Sequence, residues 1–145
     1  MARVLVLNGP NLNLLGEREP GLYGGVTLAA IEARLEALGG ELGLELRCRQ
    51  SNHEGVLIDE VHAARADCEG LIVNAGGLSH TSIALADALR AYGGRICEVH
   101  LTNVHAREPF RHHSHLAPVA DAVIAGCGPV GYELALRFLA AGRAK

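Results

Sequence analysis

Glu98 and His100 are separated by one residue within an apolar run, and together they have the residue types of a proton donor. Residues two apart on a strand point to the same face, so the carboxylate would lie beside the imidazole. A carboxylate in that place fixes the tautomer of the imidazole and raises its basicity, which suits proton transfer near neutral pH. Taken alone, the pair fits a hydrogen-bonded histidine of the core about as well.

A second candidate for acid–base chemistry is the glycine-flanked loop at 16–25, which carries Arg18 and Tyr23. Tyrosine is a poor base at its usual pKa of about 10, but a neighbouring guanidinium favours the phenolate and stabilises developing negative charge. The flanking glycines would allow the loop to close as a lid. Taken alone, the segment is more simply interpreted as a mobile polar loop. Because the only lysine is Lys145, no interior amine is available for a Schiff base.

The segment 74–77 ends an apolar run with Asn74 and places Gly76 and Gly77 where the chain turns. Backbone N–H groups exposed there could hold a carboxylate or hydroxyl oxygen, although a plain turn explains the segment equally well. Thr81 or Ser82 would cap the following helix, and the preceding histidine, His80, would contact a ligand. A nucleophilic serine is disfavoured because the chain has no G-x-S-x-G motif.

Two further motifs favour structural interpretations. The G-x-G-x-x-G pattern at 126–131 lacks a following strand to supply the acidic ribose contact, so it indicates a tight turn with Pro129 in the first helical turn. His112, His113 and His115 could bind a metal, but their spacing lacks His-x-x-x-His, and the nearest carboxylate is Glu108. A polar loop or subunit contact is the favoured interpretation of this segment.

Length predicts one domain spanning residues 1–145, and a net charge of −3 with 49% hydrophobic residues is typical of a globular protein. Without a basic patch interleaved with aromatics, nucleic-acid binding is not expected. No apolar run approaches the roughly 18 residues of a membrane span, and no signal peptide is recognisable. Four cysteines without a C-x-x-C pair indicate reduced thiols. We therefore expect a cytoplasmic protein without a membrane partner.

The elements that must position these residues alternate between strand and helix patterns. Apolar runs predict strands at 3–7, 44–50, 70–74, 95–101 and 122–125, and apolar periods of helical spacing predict helices at 27–42, 54–68, 81–92 and 130–141. This alternation predicts an α/β fold with a doubly wound five-stranded parallel sheet of order 2-1-3-4-5. Ligands bind such sheets beyond the carboxyl ends of the strands.

Polar residues are concentrated at those carboxyl ends. The residues in question are Asn8 and Asn11 after the first strand, Asn52 and Glu54 after the second, Asn74 to His80 after the third, and Glu98, His100, Thr102, Asn103, Arg107 and Arg111 at or after the fourth. The pattern predicts the location of a site without identifying its chemistry, because loops are generally polar.

Several segments occur together and in order: NGPNLNLLGEREP with Tyr23-Gly24, QSNHEG at 50–55, NAGGLSHTS at 74–82, EVHLTN at 98–103, REPFRHHS at 107–114 and Gly131-Tyr132. Over nearly the whole chain they resemble the type II 3-dehydroquinate dehydratases. The resemblance implies a flavodoxin-like fold, a dodecamer built from trimers, and conversion of 3-dehydroquinate to 3-dehydroshikimate in the shikimate pathway. It also implies that no metal, cofactor or Schiff base takes part.

The resemblance further implies roles for individual residues. Tyr23, held as phenolate by Arg18, would remove a proton beside the ketone, and a water near Asn11 would stabilise the enolate. His100, oriented by Glu98, would protonate the departing hydroxyl from the opposite side of the ring. The remaining expected contacts are the substrate carboxylate on Leu101 and Thr102, and the ring hydroxyls on Asn74, His80, Asp87 and Arg111, beside the glycine turn of Gly76 and Gly77.

Two residues depart from the family pattern: Thr102 stands where serine is usual, and Ala86 where arginine is common. Thr102 could change the affinity for substrate, and Ala86 could weaken the dodecamer.

Two other classes of function are open to the sequence: a flavodoxin-like binding module and a metal-dependent hydrolase. As a binding module, the chain would be a receiver or a mononucleotide-binding protein. It lacks the acidic residues and the lysine that a receiver needs, and beyond Tyr23 its loops offer few aromatics to stack on a flavin. A metal-dependent hydrolase would lose activity on chelation. Biosynthesis and quinate breakdown both remain open.

Overall fold

The computed structural model describes residues 2–17 and 25–143, so Arg18 and Tyr23 lie outside the described residues. Its strands are β1 (Ala2–Asn8), β2 (Leu44–Gln50), β3 (Gly70–Asn74), β4 (Arg95–His100) and β5 (Ala122–Ala125). Its α-helices are α1 (Leu28–Leu42), α2 (Glu54–Asp67), α3 (Ile83–Tyr92) and α4 (Val130–Arg143). Short 3₁₀ turns occupy the connections that follow β1, β3 and β4.

The five strands form one parallel sheet in the order β2-β1-β3-β4-β5. The predicted fold class and strand order are confirmed. The register places Asn8 beside Asn74 at the carboxyl ends of the two central strands. That pairing brings the loops that follow β1 and β3 together, as a doubly wound sheet requires at its ligand-binding edge.

Each face of the sheet is covered by two helices. Alternate side chains of β1 point to opposite faces, so Val4 and Val6 pack with α1 and α4, whereas Leu5 and Leu7 pack with α2 and α3. Burying a leucine such as Leu5 contributes about 1.5–3 kcal/mol relative to leaving it exposed. The sheet is therefore a rigid base for the loops at its edge.

Local sequence signals explain where the helices begin and end. Thr27 caps α1 by accepting a hydrogen bond from the Ala30 N–H, and Gly43 ends the helix in the left-handed conformation with φ 74°. For α3 the sequence left Thr81 and Ser82 open, and the structure selects Ser82, whose hydroxyl accepts the Leu85 N–H. The helix predicted from residue 81 thus begins later, at Ile83, because its cap Ser82 has extended backbone angles, φ −96° and ψ 101°.

All four cysteines are free, as the sequence predicted. Burial raises the pKa of Cys48 and of Cys97 to about 12, and that of Cys68 to about 11, so these thiols stay protonated. Cys127 is exposed. None of the helices within residues 2–17 and 25–143 is long and apolar enough to cross a membrane.

Candidate active site

A cleft opens at the carboxyl edge of the sheet, above the ends of β1, β3 and β4. Nine residues predicted for the site line it: Asn11, Asn74, Gly76, Gly77, His80, His100, Leu101, Thr102 and Arg111. Four more residues that were not among the predicted site residues complete its wall: Pro10, Leu12, Val104 and Arg107. The fold therefore brings together residues that are up to 101 positions apart in the chain.

Glu98 and His100 lie on the same face of β4, as their spacing predicted. Glu98 is fully buried and His100 is 6% exposed, and the Nε2 atom of His100 is hydrogen-bonded to the Glu98 Oε2 atom. A buried carboxylate bonded at Nε2 leaves Nδ1 as the ring nitrogen available to a ligand. The pair thus has the arrangement of a proton donor at the base of the cleft.

Asn11 lines the cleft from a turn in which its own backbone is left-handed. With φ 71° it is the only described non-glycine residue in the left-handed region, which asparagine tolerates better than most residues. Its backbone N–H donates to Asn52 Oδ1 at 3.0 Å, and Gln50 Nε2 donates to the Gly9 carbonyl at 3.1 Å. Asn52, which the sequence placed at the ligand edge, therefore braces the turn from β2.

Asn74 is held by a buried network that reaches the opposite end of the chain. Its Nδ2 donates to the Tyr132 hydroxyl at 2.9 Å, and that hydroxyl donates to Asn8 Oδ1 at 2.5 Å. Its Oδ1 accepts the Gly76 N–H at 3.2 Å. Burial raises the pKa of Tyr132, so the phenol stays neutral and remains a donor. Sequence reasoning assigned Tyr132 no role, because the sequence does not reveal that α4 brings it to β1 and β3.

His80 lies beside the acid pair. Its ring stacks on that of His100 with centroids 6.1 Å apart, and its Nδ1 is 2.8 Å from the His113 carbonyl oxygen. A carbonyl only accepts, so Nδ1 carries the proton and Nε2 is left as an acceptor. Burial lowers the pKa of His80, and the charges of His100 and Arg111 lower it further. A neutral His80 can accept a hydrogen bond from a ligand hydroxyl.

The outer wall of the cleft is cationic. Arg107 and Arg111 both line it, and Arg107 Nη1 is 3.5 Å from the Thr102 hydroxyl. Glu108 holds Arg111 through a 3.1 Å bond to Nε, and its own backbone N–H and the two arginines lower its pKa. Glu108 Oε1 is also 3.6 Å from Arg107 Nε, so one carboxylate pairs with both guanidinium groups and a net positive charge is left. This charge beside the Thr102 hydroxyl favours an anionic ligand, such as a carboxylate. Arg107 was among the polar residues expected at this edge of the sheet, but the sequence assigned it no contact with a ligand.

Other predicted residues lie elsewhere. Asp87 is on α3, its side chain is 65% exposed, and it pairs with Arg90 instead of lining this cleft. Glu54 accepts a hydrogen bond from Ser82 and supports the start of α3. Arg18 and Tyr23 lie outside the described residues, so the structure gives no position for the expected base.

The glycine-rich and histidine-rich motifs take structural positions. Gly126 and Gly128 have positive φ and donate backbone N–H groups to the carbonyls of His100 and Leu101, so this turn supports the end of β4. This agrees with the tight turn predicted there. In the described part of the chain, no group of three or more His, Cys, Asp or Glu side chains is arranged to hold a metal ion.

The fold and the cleft define a flavodoxin-like α/β protein with an acid–base site at the carboxyl edge of its sheet. Comparison with known proteins is consistent with this class. A family model described as Dehydroquinase class II matches residues 2–140. The chain is 59% identical over 139 residues to 3-dehydroquinate dehydratase of Chelativorans sp. (strain BNC1), covering 95% of this chain and 96% of that protein.

Two further similarities agree with that match. The chain is 54% identical to Catabolic 3-dehydroquinase 2 of Aspergillus flavus, covering 94% of this chain and 91% of that protein. A crystal structure of type II dehydroquinase from Propionibacterium acnes superposes with a TM-score of 0.94 at 45% identity, covering 97% of each chain. The chain belongs to the class II dehydroquinase family, and its activity is that of a hydro-lyase acting on 3-dehydroquinate in the shikimate pathway.

Proposed function

We propose that this chain removes water from 3-dehydroquinate by anti elimination through an enolate, within one catalytic domain and without a metal or cofactor. The observation that carries the proposal is the buried Glu98–His100 pair, which faces a cleft with cationic walls at the carboxyl edge of the sheet. The residue roles below rest on this geometry together with the family resemblance.

The first step is proton removal from the carbon beside the ketone. We assign it to Tyr23 as phenolate, with Arg18 holding the negative charge, by resemblance to the family. The carbon–hydrogen electron pair becomes the enolate double bond, and the ketone oxygen takes the negative charge. To Asn11, which lines the cleft, we assign the water that would donate to this oxygen. A hydrogen-bond donor that already points at the oxygen where charge develops lowers the activation barrier, because it does not have to reorient during the reaction.

The second step is loss of the hydroxyl. The enolate electrons return to form the ketone and the new carbon–carbon double bond, and the hydroxyl leaves with a proton from His100. Glu98 stabilises the protonated imidazole at Nε2, so Nδ1 can deliver the proton. By resemblance to the family, we assign the base and His100 to opposite sides of the ring. That division fits anti elimination.

The cleft also offers contacts for the rest of the substrate. We assign the substrate carboxylate to the backbone of Leu101 and Thr102 and to the Thr102 hydroxyl, under the positive charge of Arg107. His80, Asn74 and Arg111 would hold the ring hydroxyls, with Gly76 and Gly77 allowing the close approach of the ring. Threonine in place of the usual serine retains the hydroxyl that this contact needs.

We further propose that the active form is a dodecamer built from four trimers and that it works in the cytoplasm. Asp87 is exposed on α3, beside Ile83, which is 63% exposed. A second copy packed on that surface would receive Asp87 in its own cleft. The cytoplasmic location is supported by four free cysteines, since disulfides are rare in reducing compartments.

The activity is tested by ultraviolet absorbance after 3-dehydroquinate is added to chelator-dialysed protein, because dehydration creates a conjugated enone-carboxylate. We expect a rising signal. A flat trace from folded, oligomeric protein would favour a binding module, and recovery only on adding metal would favour the hydrolase.

The role of His100 is tested by separating the two steps. In His100→Gln we expect hydroxyl loss to slow by about 10²–10⁴-fold, while deuterium exchange at the carbon beside the ketone continues. His62→Gln, which alters an exposed histidine of α2, is the matched control and should behave as the unaltered protein. Equal slowing of exchange and hydroxyl loss would remove His100 from the acid role.

A further inference from the structure

Ser114 belongs to the histidine-rich segment 112–115, to which the proposed mechanism gives no role. Its hydroxyl oxygen takes part in three hydrogen bonds. It donates to Glu98 Oε2 at 2.7 Å, and it accepts the backbone N–H groups of Leu116 at 3.1 Å and Ala117 at 3.3 Å. Ser114 is therefore in direct contact with the carboxylate that orients His100.

The two backbone donors determine the direction of the hydroxyl proton. A serine hydroxyl has two lone pairs and one proton. Both lone pairs of Ser114 face an N–H group, so the proton is left to point at Glu98 Oε2. The hydroxyl cannot rotate to serve another acceptor without losing these bonds. Ser114 is thus a donor of fixed direction toward the carboxylate.

Glu98 depends on such a donor, because the side chains beside it on the two neighbouring strands offer none. Its neighbours in register are Val73 on β3 and Val123 on β5. Its Oε1 atom is buried without a partner among the described residues, and Oε2 accepts from His100 and Ser114. A buried carboxylate is costly unless hydrogen bonds compensate for lost hydration. The two donors at Oε2 therefore offset part of that cost and fix the orientation of the carboxylate.

The segment that carries Ser114 is held in place at both sides. The His115 N–H donates to the Ser79 carbonyl at 2.8 Å, and Leu116 is fully buried in the apolar cluster beside α2 and α3. The His113 carbonyl holds the His80 ring. Two successive residues of this segment therefore hold two groups of the site: the His113 carbonyl holds the His80 ring, and the Ser114 hydroxyl holds the Glu98 carboxylate.

We infer that Ser114 is a positioning residue for the acid: its hydroxyl holds the Glu98 carboxylate in register with His100 Nε2. This inference rests on the proposed function, because it needs His100 to act as the acid. Without the hydroxyl, the carboxylate loses one of its two donors at Oε2, and the His100 ring loses a fixed support. Proton delivery to the leaving hydroxyl should suffer, whereas proton removal by the base should not.

The test compares Ser114→Ala, Ser114→Thr and Ser82→Ala. A hydrogen bond to a charged group corresponds to a rate factor of about 10–100, so we expect kcat for dehydration to fall by that factor in Ser114→Ala. Because Ser114 does not line the cleft, KM should stay within about threefold. Deuterium exchange beside the ketone should continue at the unaltered rate. Ser114→Thr, which keeps a hydroxyl, should restore most of the lost turnover.

Ser82→Ala is a matched control for structural damage. Ser82 also caps a backbone N–H, that of Leu85, and also donates to a carboxylate, that of Glu54, but neither partner belongs to the acid. We expect a comparable loss of thermal stability with unaltered kcat. Equal kcat in Ser114→Ala and the unaltered protein, or equal losses of kcat in Ser114→Ala and Ser82→Ala, would overturn the inference. If His100→Gln still separates the two steps in that case, the proposed function stands without it.

Discussion

A single hydroxyl, that of Tyr132, connects two asparagines that belong to the two central strands. It accepts from Asn74 and donates to Asn8, and all three groups are buried. The Asn8 Nδ2 atom has no partner in the described part of the chain, so this network is already short of one bond. Removing the hydroxyl would leave two more polar atoms of the network without a partner.

We therefore expect Tyr132→Phe to lower the free energy of unfolding by about 1–3 kcal/mol, the cost of leaving buried polar groups unpaired. Turnover should also fall, because Asn74 lines the cleft. Tyr92→Phe is the matched control: it removes a buried hydroxyl that donates to the Cys68 carbonyl, away from the cleft. Urea unfolding at equal protein concentration and the dehydration assay measure both effects. Unchanged stability and turnover in Tyr132→Phe would contradict the role given to this network.

At the scale of elements, the turn after β1 and the turn after β3 are in direct backbone contact. Gly9 donates its N–H to the Asn74 carbonyl, and a Cβ atom at Gly9 would lie 2.4 Å from the Ala75 carbonyl oxygen. Gly76 has φ 59° and faces the Pro10 carbonyl. The close approach places Asn11 on one turn and Gly76 on the other within the same cleft.

Gly9→Ala should push these two turns apart, because the contact is with backbone that cannot rotate away. We expect the free energy of unfolding to fall by about 1–3 kcal/mol, as for other overpacked sites, and KM to rise. Gly55→Ala, in the first turn of α2, has open space around the new methyl and should leave KM unchanged. Urea unfolding and steady-state kinetics compare the two variants. Similar KM values for both would mean that the contact does not shape the cleft.

The sequence predicted the helices and strands well, because apolar periodicity and the residues that cap helices or form turns are local signals. The five strands, their order and the Thr27 cap of α1 are confirmed, as is the spacing that puts Glu98 and His100 on one face. The start of α3 was predicted two residues too early, because Thr81 and Ser82 are both suitable caps in sequence and only the extended backbone of Ser82 shows which one precedes the helix.

The parts of the site that were missed depend on contacts between distant segments. Ser114, Tyr132 and Arg107 reach the site only through folding of the long connection after β4 and packing of α4. Hydroxyl and guanidinium side chains of this kind are common on loops and helices. Their types and spacing therefore did not separate them from neighbours that remain at the surface.

At the scale of the whole molecule, the position of Asp87 makes the assembly part of the proposed site. If Asp87 acts in the cleft of a neighbouring subunit, a variant lacking Asp87 and one lacking His100 should complement each other. In co-expressed Asp87→Asn and His100→Gln chains mixed at random, about a quarter of the sites would combine an intact His100 with an intact Asp87 from the next subunit.

We expect the co-expressed mixture to recover about that fraction of activity, whereas each variant alone is strongly impaired. Separately purified variants, mixed without subunit exchange, provide the control. Recovery no greater than the mean of the two pure variants would place Asp87 outside the neighbouring cleft. Size-exclusion chromatography with light scattering would establish whether the co-expressed chains still assemble.

The position of Tyr132 in α4 also determines when a working cleft can exist during synthesis. The asparagines that it joins lie in β1 and β3, which leave the ribosome well before α4 does. A nascent chain can therefore pair β1 with β3 before the hydrogen bonds of Asn8 and Asn74 with the Tyr132 hydroxyl can form. Completion of the site is coupled to docking of the last helix, so a chain interrupted before α4 would be catalytically silent and would expose the apolar face that α4 covers.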